Sequence, residues 1–133
     1  MNIEAFLLCD AATDQQGKLN VLGAFDTVWA KQLPAKHPAC AIAVRIRFEK
    51  IENGNHPIKI NIIDEDGKAI GPKLDGNISV HASDEVDSSV VNLVLNIQGL
   101  EFTAYGRYRI DLAIDGQMRS SLPFNAREVP NQA

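Results

Sequence analysis

Three histidines and two cysteines are the side chains of this sequence that could act as a catalytic base or a nucleophile. Nucleophilic catalysis needs such a group beside a base that a third residue orients, and no serine stands in a nucleophile-elbow context. The histidines fall in predicted loops or at a strand end, and the cysteines lie in apolar runs that predict buried free thiols. These residues are His37, His56, His81, Cys9 and Cys40. The sequence therefore predicts no catalytic residue and favours a protein that is not an enzyme.

Metal and cofactor sites have equally little support in the spacing of residues. No Cys-x-x-Cys, His-Glu-x-x-His or His-x-His motif occurs, and the glycines are scattered singly rather than grouped as a phosphate-binding loop. Asp64, Glu65 and Asp66 precede Gly67 and could offer hard oxygen ligands to calcium. Asp-Gly is also an ordinary hairpin turn, which is the preferred interpretation. We expect no metal and no cofactor.

Length and composition indicate one ordinary globular domain. The chain has 133 residues, of which 45% are apolar and 23% charged, and a net charge of -4. This acidic balance argues against nucleic-acid binding. The apolar run Ala5–Cys9 follows Glu4 and is shorter than a signal peptide or a membrane span needs. The expectation is therefore a cytoplasmic protein without a membrane partner.

Alternation of apolar and polar residues dominates the chain and predicts about eight β-strands. The clearest is the third, in which Ile42, Val44, Ile46 and Phe48 share one face. Turn signals recur at short intervals, and no long helical period is present. The predicted fold is all-β, an antiparallel two-sheet sandwich that occupies residues 1–127 as a single domain, followed by a frayed tail at 128–133.

Two local patterns refine this prediction. The second predicted strand runs from Lys18 to Trp29 and places Leu19, Val21, Phe25 and Trp29 on one face, while Gly23 within it indicates a bulge or a close backbone approach. Near the end of the chain, Gly106-Arg107-Tyr108 opens a late strand in the manner of a tyrosine corner. That feature favours an immunoglobulin-like sandwich, in which the tyrosine hydroxyl bonds back to the preceding loop.

Several segments together resemble a known family of proteins. They are Asp10, Gly17–Asp26, Pro34, His37-Pro38, Asp64–Gly67, Asn92–Leu95 and Gly106–Tyr108. The chain is similar over nearly its whole length to an uncharacterised bacterial family, a domain of unknown function. This resemblance implies a small β-sandwich and provides no reaction, ligand or catalytic residue.

An arginine-rich face follows if the third, fourth, seventh and eighth predicted strands share one sheet, as the immunoglobulin-like arrangement would have it. Its solvent side would then carry six cations against Glu49 and Asp111. The six are Arg45, Arg47, Lys59, Arg107, Arg109 and Arg119. Arginine clusters suit carboxylate or phosphate partners, although a charged sheet face also serves simply to discourage aggregation.

An apolar patch is predicted on the other sheet, where five residues alternate against the apparent core positions. They are Phe6, Leu8, Leu22, Val90 and Val94. Exposed apolar patches mark interfaces, and two-fold dimers are the commonest oligomers. Internal cover by a loop, or by the segment 83–89, is the alternative.

These features favour a binding or assembly module that acts through its sheet faces. The partner would be a second copy of the chain or another protein. A binder of small molecules or anions, using the arginine-rich face, is the first alternative. An enzyme whose site is assembled from dispersed loop residues is the second.

Overall fold

The computed structural model describes residues 1–130 as two β-sheets packed face to face. Nine strands and one short 3-10 helix, Lys50–Glu52, follow one another along the chain. The strands are β1 Asn2–Gln15, β2 Lys18–Ala24, β3 Thr27–Ala30, β4 Ala35–Glu49, β5 Gly54–Ile63, β6 Ala69–Val80, β7 Ser88–Phe102, β8 Gly106–Ile114 and β9 Gln117–Glu128. The predicted all-β, two-sheet sandwich is confirmed.

The four-stranded sheet has the order β2-β1-β4-β7, and the five-stranded sheet has the order β3-β9-β8-β5-β6. All neighbours are antiparallel except β3 and β9, which run parallel with Thr27 beside Asn125 and Ala30 beside Glu128. The third predicted strand is β4, so it lies in the other sheet from β5, β8 and β9. The strand arrangement that we predicted for the arginine-rich face is therefore wrong, and the immunoglobulin-like classification stays a prediction.

The interior lies between the two sheets and follows the alternation of the sequence. Ile42, Val44, Ile46 and Phe48 of β4 are fully buried, as predicted, and they face the inward residues of β5 and β8. Three aromatic rings close one end of this core, where Tyr108 stacks on Phe124 with ring centroids 5.3 Å apart. Burial of such side chains stabilises the fold by about 1.5–3 kcal/mol each.

The single strand predicted from Lys18 to Trp29 is in fact two strands in different sheets. Gly23 has φ +69°, and the Asp10 carboxylate lies against it where a Cβ would be, so the group that approaches this glycine is a side chain. Beyond the break, the backbone N–H of Phe25 donates to the Leu8 carbonyl at 2.9 Å, and the chain crosses to the other sheet. This crossing accounts for the ninth strand.

The distal half of the β1–β2 hairpin bends over the outer face of the four-stranded sheet. Its residues Ala12, Leu19 and Val21 pack against a cluster of buried side chains on that face, and Val94 of β7 packs against the same cluster. Gly17, at the tip, accepts hydrogen bonds from strands β4 and β7 through its carbonyl. The hairpin therefore covers a surface that the sequence alone leaves open.

The C-terminal boundary lies beyond the predicted one at residue 127. β9 continues through Glu128, and the backbone N–H of Val129 donates to the Ala30 carbonyl at 3.0 Å. Residues 128 and 129 are thus part of the hydrogen-bonded fold rather than a frayed tail. Positions 131–133 lie outside the described residues. No helix within residues 1–130 is long and apolar enough to cross a membrane.

Candidate binding surface around Trp29

The six predicted cations are divided between the two sheets. Arg45 and Arg47 project from β4 on the four-stranded sheet, where both bind Glu4 of β1, with Nε to carboxylate oxygen distances of 2.9 and 2.7 Å. The hydrogen bond from Arg47, together with that from Arg45, holds the pKa of the Glu4 carboxyl below its ordinary value despite some desolvation. These two guanidinium groups are satisfied within the sheet.

Four of the predicted cations lie on the five-stranded sheet without forming one cluster. Arg109 binds Asp111 through Nε at 3.0 Å, and Asp111 also accepts a hydrogen bond from Ser121. Lys59 projects from β5 beside Asp75 of β6. Arg119 lies on β9 eight residues before Arg127, a separation of about 27 Å along the strand at 3.4 Å per residue. The prediction of a single arginine-rich face is therefore wrong. Alternation along a strand indicates which side chains share a face of that strand, but it does not indicate the sheet to which the strand belongs.

The predicted apolar patch is also divided by the fold. Phe6 and Leu8 point into the core between the sheets, and Val94 lies beneath the β1–β2 hairpin. Val90 is half-buried near the start of β7, and Leu22 is 70% exposed on the hairpin. The prediction that these five residues form one exposed surface is therefore wrong. The element that covers part of it is the hairpin, rather than the segment 83–89.

One corner of the five-stranded sheet brings together tryptophan, tyrosine and arginine, residue types that often dominate the binding energy at protein interfaces. Trp29 on edge strand β3 pairs in register with Arg127 of β9, and Asn125 of β9 pairs with Arg107 of β8. The indole of Trp29 is 57% exposed. Tyr105 borders the same groove. Its hydroxyl donates a hydrogen bond to the Ala30 carbonyl at 3.1 Å, and the ring is thereby fixed beside β3.

The groove at this corner has a volume of about 710 Å³. We call it the Trp29 surface, and the polar and aromatic side chains that line it are Trp29, Glu65, Tyr105, Arg107, Asn125, Arg127 and Glu128. Neither Arg107 nor Arg127 forms an ion pair with any residue between 1 and 130. Its lining, within the same range, contains no serine, cysteine or histidine.

The two glutamates of the Trp29 surface limit its positive charge. Glu65 lies against Gly106, where a Cβ would come within 2.8 Å of the carboxylate oxygen at the end of its flexible side chain, and the φ of +140° is the feature that favours glycine at position 106. Desolvation and the neighbouring Glu128 carboxylate raise the pKa of the Tyr105 hydroxyl above its ordinary value. The surface therefore combines two arginines with two carboxylates and two aromatic rings.

The other candidate residues are engaged in structural contacts. His56 contacts the Asp115 carboxylate through Nδ1 at 2.9 Å and the Glu52 carbonyl through Nε2, so both ring nitrogens have acceptors. Cys9 and Cys40 are buried free thiols, as predicted. The Asp64 carboxylate accepts hydrogen bonds from the backbone N–H groups of Asp66 and Lys68, which is the geometry of a hairpin turn.

Comparison with protein families identifies one match. The model of DUF6941, a family of unknown function, matches residues 4–127. The chain belongs to this family. The match spans all nine strands except the outer residues of β1 and β9, and it therefore includes the whole Trp29 surface apart from Glu128. A comparison with curated proteins finds no match.

Of the seven side chains of this surface, sequence reasoning identified only Arg107 as a binding residue, and the two most informative omissions are Arg127 and Trp29. Arg127 continues the outward alternation of Pro123 and Asn125, but it stood at the predicted domain boundary. Trp29 was expected on the face of Leu19 and Val21, whereas the break at Gly23 sends it to the other sheet. The glycine at position 23, which interrupts the predicted strand, was the signal in the sequence that could have shown that Trp29 belongs to a separate strand.

Proposed function

We propose that this protein is a non-enzymatic binding module and that the Trp29 surface is its contact site for another protein. The observation that carries the proposal is an exposed indole beside two arginines that lack an ion-pair partner among residues 1–130. Tryptophan, tyrosine and arginine are the residues that contribute most binding energy at protein interfaces. Exposed positions of this kind favour a partner over a purely structural role.

The chemistry of the surface defines the partner segment. The guanidinium groups of Arg107 and Arg127 suit carboxylates, because their paired N–H donors match the two oxygens. Trp29 offers an apolar ring for a neighbouring side chain. Glu65 and Glu128 would repel a densely anionic ligand at the same groove. The segment we expect therefore presents one or two carboxylates next to an aromatic or aliphatic side chain.

A small anionic molecule is the second candidate for the same site. The volume of about 710 Å³ falls in the range of small-molecule pockets, and the two arginines would hold a carboxylate or phosphate. The groove lies open on a sheet face, however, and such ligands usually bury most of their surface. This openness favours the protein segment.

A cytoplasmic location belongs to the same proposal. Cys9 and Cys40 are both free thiols, and neither contributes to a disulfide framework of the kind that small exported domains use. The net charge of -4 is compatible with this setting.

Selection from a displayed library of random peptides tests the proposal, and Trp29 supplies the readout because it is the only tryptophan in the chain. We expect selected peptides to place Asp or Glu beside an apolar residue and to change Trp29 fluorescence on binding. Arg127→Ala and Arg107→Ala should each weaken binding about tenfold or more, since a charge-assisted hydrogen bond contributes about 1.5–3 kcal/mol. Arg119→Ala is the matched control and should bind normally.

Two results would overturn the proposed protein partner. The first is a library that yields no peptide above background. The second is a set of peptides that bind Trp29→Ala and Arg127→Ala as well as the unaltered protein. Trp29 fluorescence that responds to ATP or inorganic phosphate, but to no peptide, would replace the protein partner with the small anion.

A further inference from the structure

The β7 edge of the four-stranded sheet differs from the other three sheet edges in this protein. Edge strands expose unpaired backbone groups, and proteins protect them with charges, prolines, bulges or short length. β3 has only four residues, and β6 carries Pro72, Lys73 and Asp75 together with an irregular register. β2 carries Lys18 and belongs to the hairpin that bends over the sheet.

β7 has none of these protections over most of its length. From Ser88 to Leu100 the strand runs for thirteen residues without a charged side chain or a proline. Within residues 1–130 it pairs only with β4, so its other side presents free N–H and C=O groups. Such an edge is a template for another strand.

Burial along β7 indicates that the edge is incompletely covered. Val91, Leu93 and Leu95 face the core but are only half-buried, whereas the inward side chains of neighbouring β4, including Ile42 and Val44, are fully buried. On the opposite face, Val90 and Val94 are half-buried as well. A strand added beside β7 would cover apolar side chains on both faces of the sheet.

We propose that a second copy of this chain pairs with β7 in antiparallel fashion, so that two four-stranded sheets join into one eight-stranded sheet. The proposal is independent of the Trp29 surface, which lies on the other sheet. A two-fold axis places each strand opposite the same strand of the second copy, so any charged side chain near the axis would face a like charge. Because the chain has a net charge of -4, self-pairing is most favourable along a strand without charged side chains. The segment 88–100 carries no charged side chain, and the Asp14 carboxylate that contacts Asn92 is accompanied by the Arg45 guanidinium on the same amide.

The sequence of β7 is also complementary to itself. With the two-fold axis at Asn92, Val90 stands opposite Val94 of the second copy on the outer face, and Val91 stands opposite Leu93 on the inner face. Opposite residues of antiparallel strands point to the same side, so these two pairs bring aliphatic side chains together on both faces, and Ser89 opposite Leu95 is the one mixed pair between positions 88 and 96. Ser88 then stands opposite Asn96, so polar residues also meet polar ones. This match argues for a second copy rather than a foreign strand.

Strand pairing alone gives a small interface, below about 1,200 Å² in total, so the dimer should be reversible and dependent on concentration. Sedimentation or light scattering across the micromolar to millimolar range tests this. We expect Val90→Lys to raise the dissociation constant about tenfold or more, because each dimer carries the substitution twice. Leu22→Lys, at an exposed apolar residue on the hairpin, is the matched control and should dimerise like the unaltered protein.

Amide hydrogen exchange locates the interface within the chain. Raising the protein concentration should slow exchange at positions 90–95 and leave β2 and β6 unchanged. Unfolding curves of Val90→Lys verify that it stays folded. A chain that remains monomeric across the whole range would overturn the proposal, as would a dimer that leaves exchange in β7 unchanged or that Val90→Lys does not weaken.

Discussion

Asn92 on β7 donates a hydrogen bond from its side-chain amide to the backbone carbonyl of Gly17, which lies 75 positions earlier in the chain, at 3.1 Å. The same amide reaches Asp14 at 3.3 Å, and its oxygen accepts from Arg45 at 3.2 Å. One side chain thus fixes the tip of the β1–β2 hairpin across the outer face of the four-stranded sheet.

Replacing Asn92 with alanine should release this hairpin tip. The lost hydrogen bonds predict a loss of about 1–2 kcal/mol in the free energy of unfolding. Amide exchange in the distal hairpin, positions 11–22, should accelerate more than exchange in the core strands. Asn96→Ala removes an exposed amide from the same strand and is the control. Unchanged exchange in the hairpin would show that apolar packing alone holds it.

His56 should make stability depend on pH. The Glu52 carbonyl and then the Asp115 carboxylate raise the pKa of its imidazole above the ordinary 6.5. A raised folded-state pKa adds stability that is complete below the unfolded pKa and is lost as pH rises through the folded pKa. Urea unfolding should therefore show that the advantage of the unaltered protein over His56→Gln shrinks above pH 6.5.

The control for this pH dependence is His81→Gln, which removes an exposed ring at the end of β6. Its unfolding curves separate the loss of an imidazole as such from the loss of the two contacts that His56 makes. An unaltered protein and a His56→Gln variant that differ by a constant amount at every pH would contradict the assigned role of His56.

Tyr108→Phe should destabilise the protein by about 1 kcal/mol, because it deletes one hydrogen bond and keeps the ring. The hydroxyl donates to the Ala104 carbonyl at 2.6 Å, which is the tyrosine-corner contact predicted from the sequence. Denaturant titration measures the effect. Tyr105→Phe is a matched comparison, since it deletes a bond to the Ala30 carbonyl from a less buried ring. Tyr105→Phe should lower the free energy of unfolding less than Tyr108→Phe does. An equal or larger decrease would contradict the expectation that the more buried hydroxyl contributes more stability.

Both cysteines should resist modification in the folded protein. Desolvation by burial raises the pKa of the Cys9 and Cys40 thiols, so little of the reactive thiolate forms near neutral pH. We expect a thiol reagent to modify neither residue until denaturant unfolds the chain. Mass spectrometry reads the modification directly. Rapid labelling of either thiol under native conditions would show that the covering elements open frequently.

The sequence predicts the faces of strands better than it predicts their neighbours. Alternation correctly identified the inward residues of β4, because period-two burial is a local property of a strand. Whether β4 pairs with β1 and β7 or with β5 and β8 depends on residues far apart in the chain. Arg45 and Arg107 were therefore expected on one face, and the fold places them on different sheets.

The Trp29 surface was predictable only in part for the same reason. Arg107 was recognised from its strand, whereas Trp29 reaches the surface through the crossing after Gly23 and the parallel pairing of β3 with β9. Parallel pairing of distant segments leaves no short-range pattern. Tyr108, by contrast, belongs to the local Gly106-Arg107-Tyr108 motif, and the hydrogen bond of its hydroxyl to the preceding loop was predicted correctly.

The pairing of β3 with β9 has a consequence for how the chain acquires its fold. Within residues 1–130, β3 hydrogen-bonds to no strand other than β9, and its paired residues Thr27 and Asn125 are 98 positions apart in the chain. A growing chain must therefore carry residues 27–30 without their sheet neighbour until residue 128 has left the ribosome. Closure of so long a loop is slow relative to hairpin formation. The corner that displays Trp29 should thus assemble only after β9 has been synthesised, and later than the hairpins that form between strands adjacent in the chain.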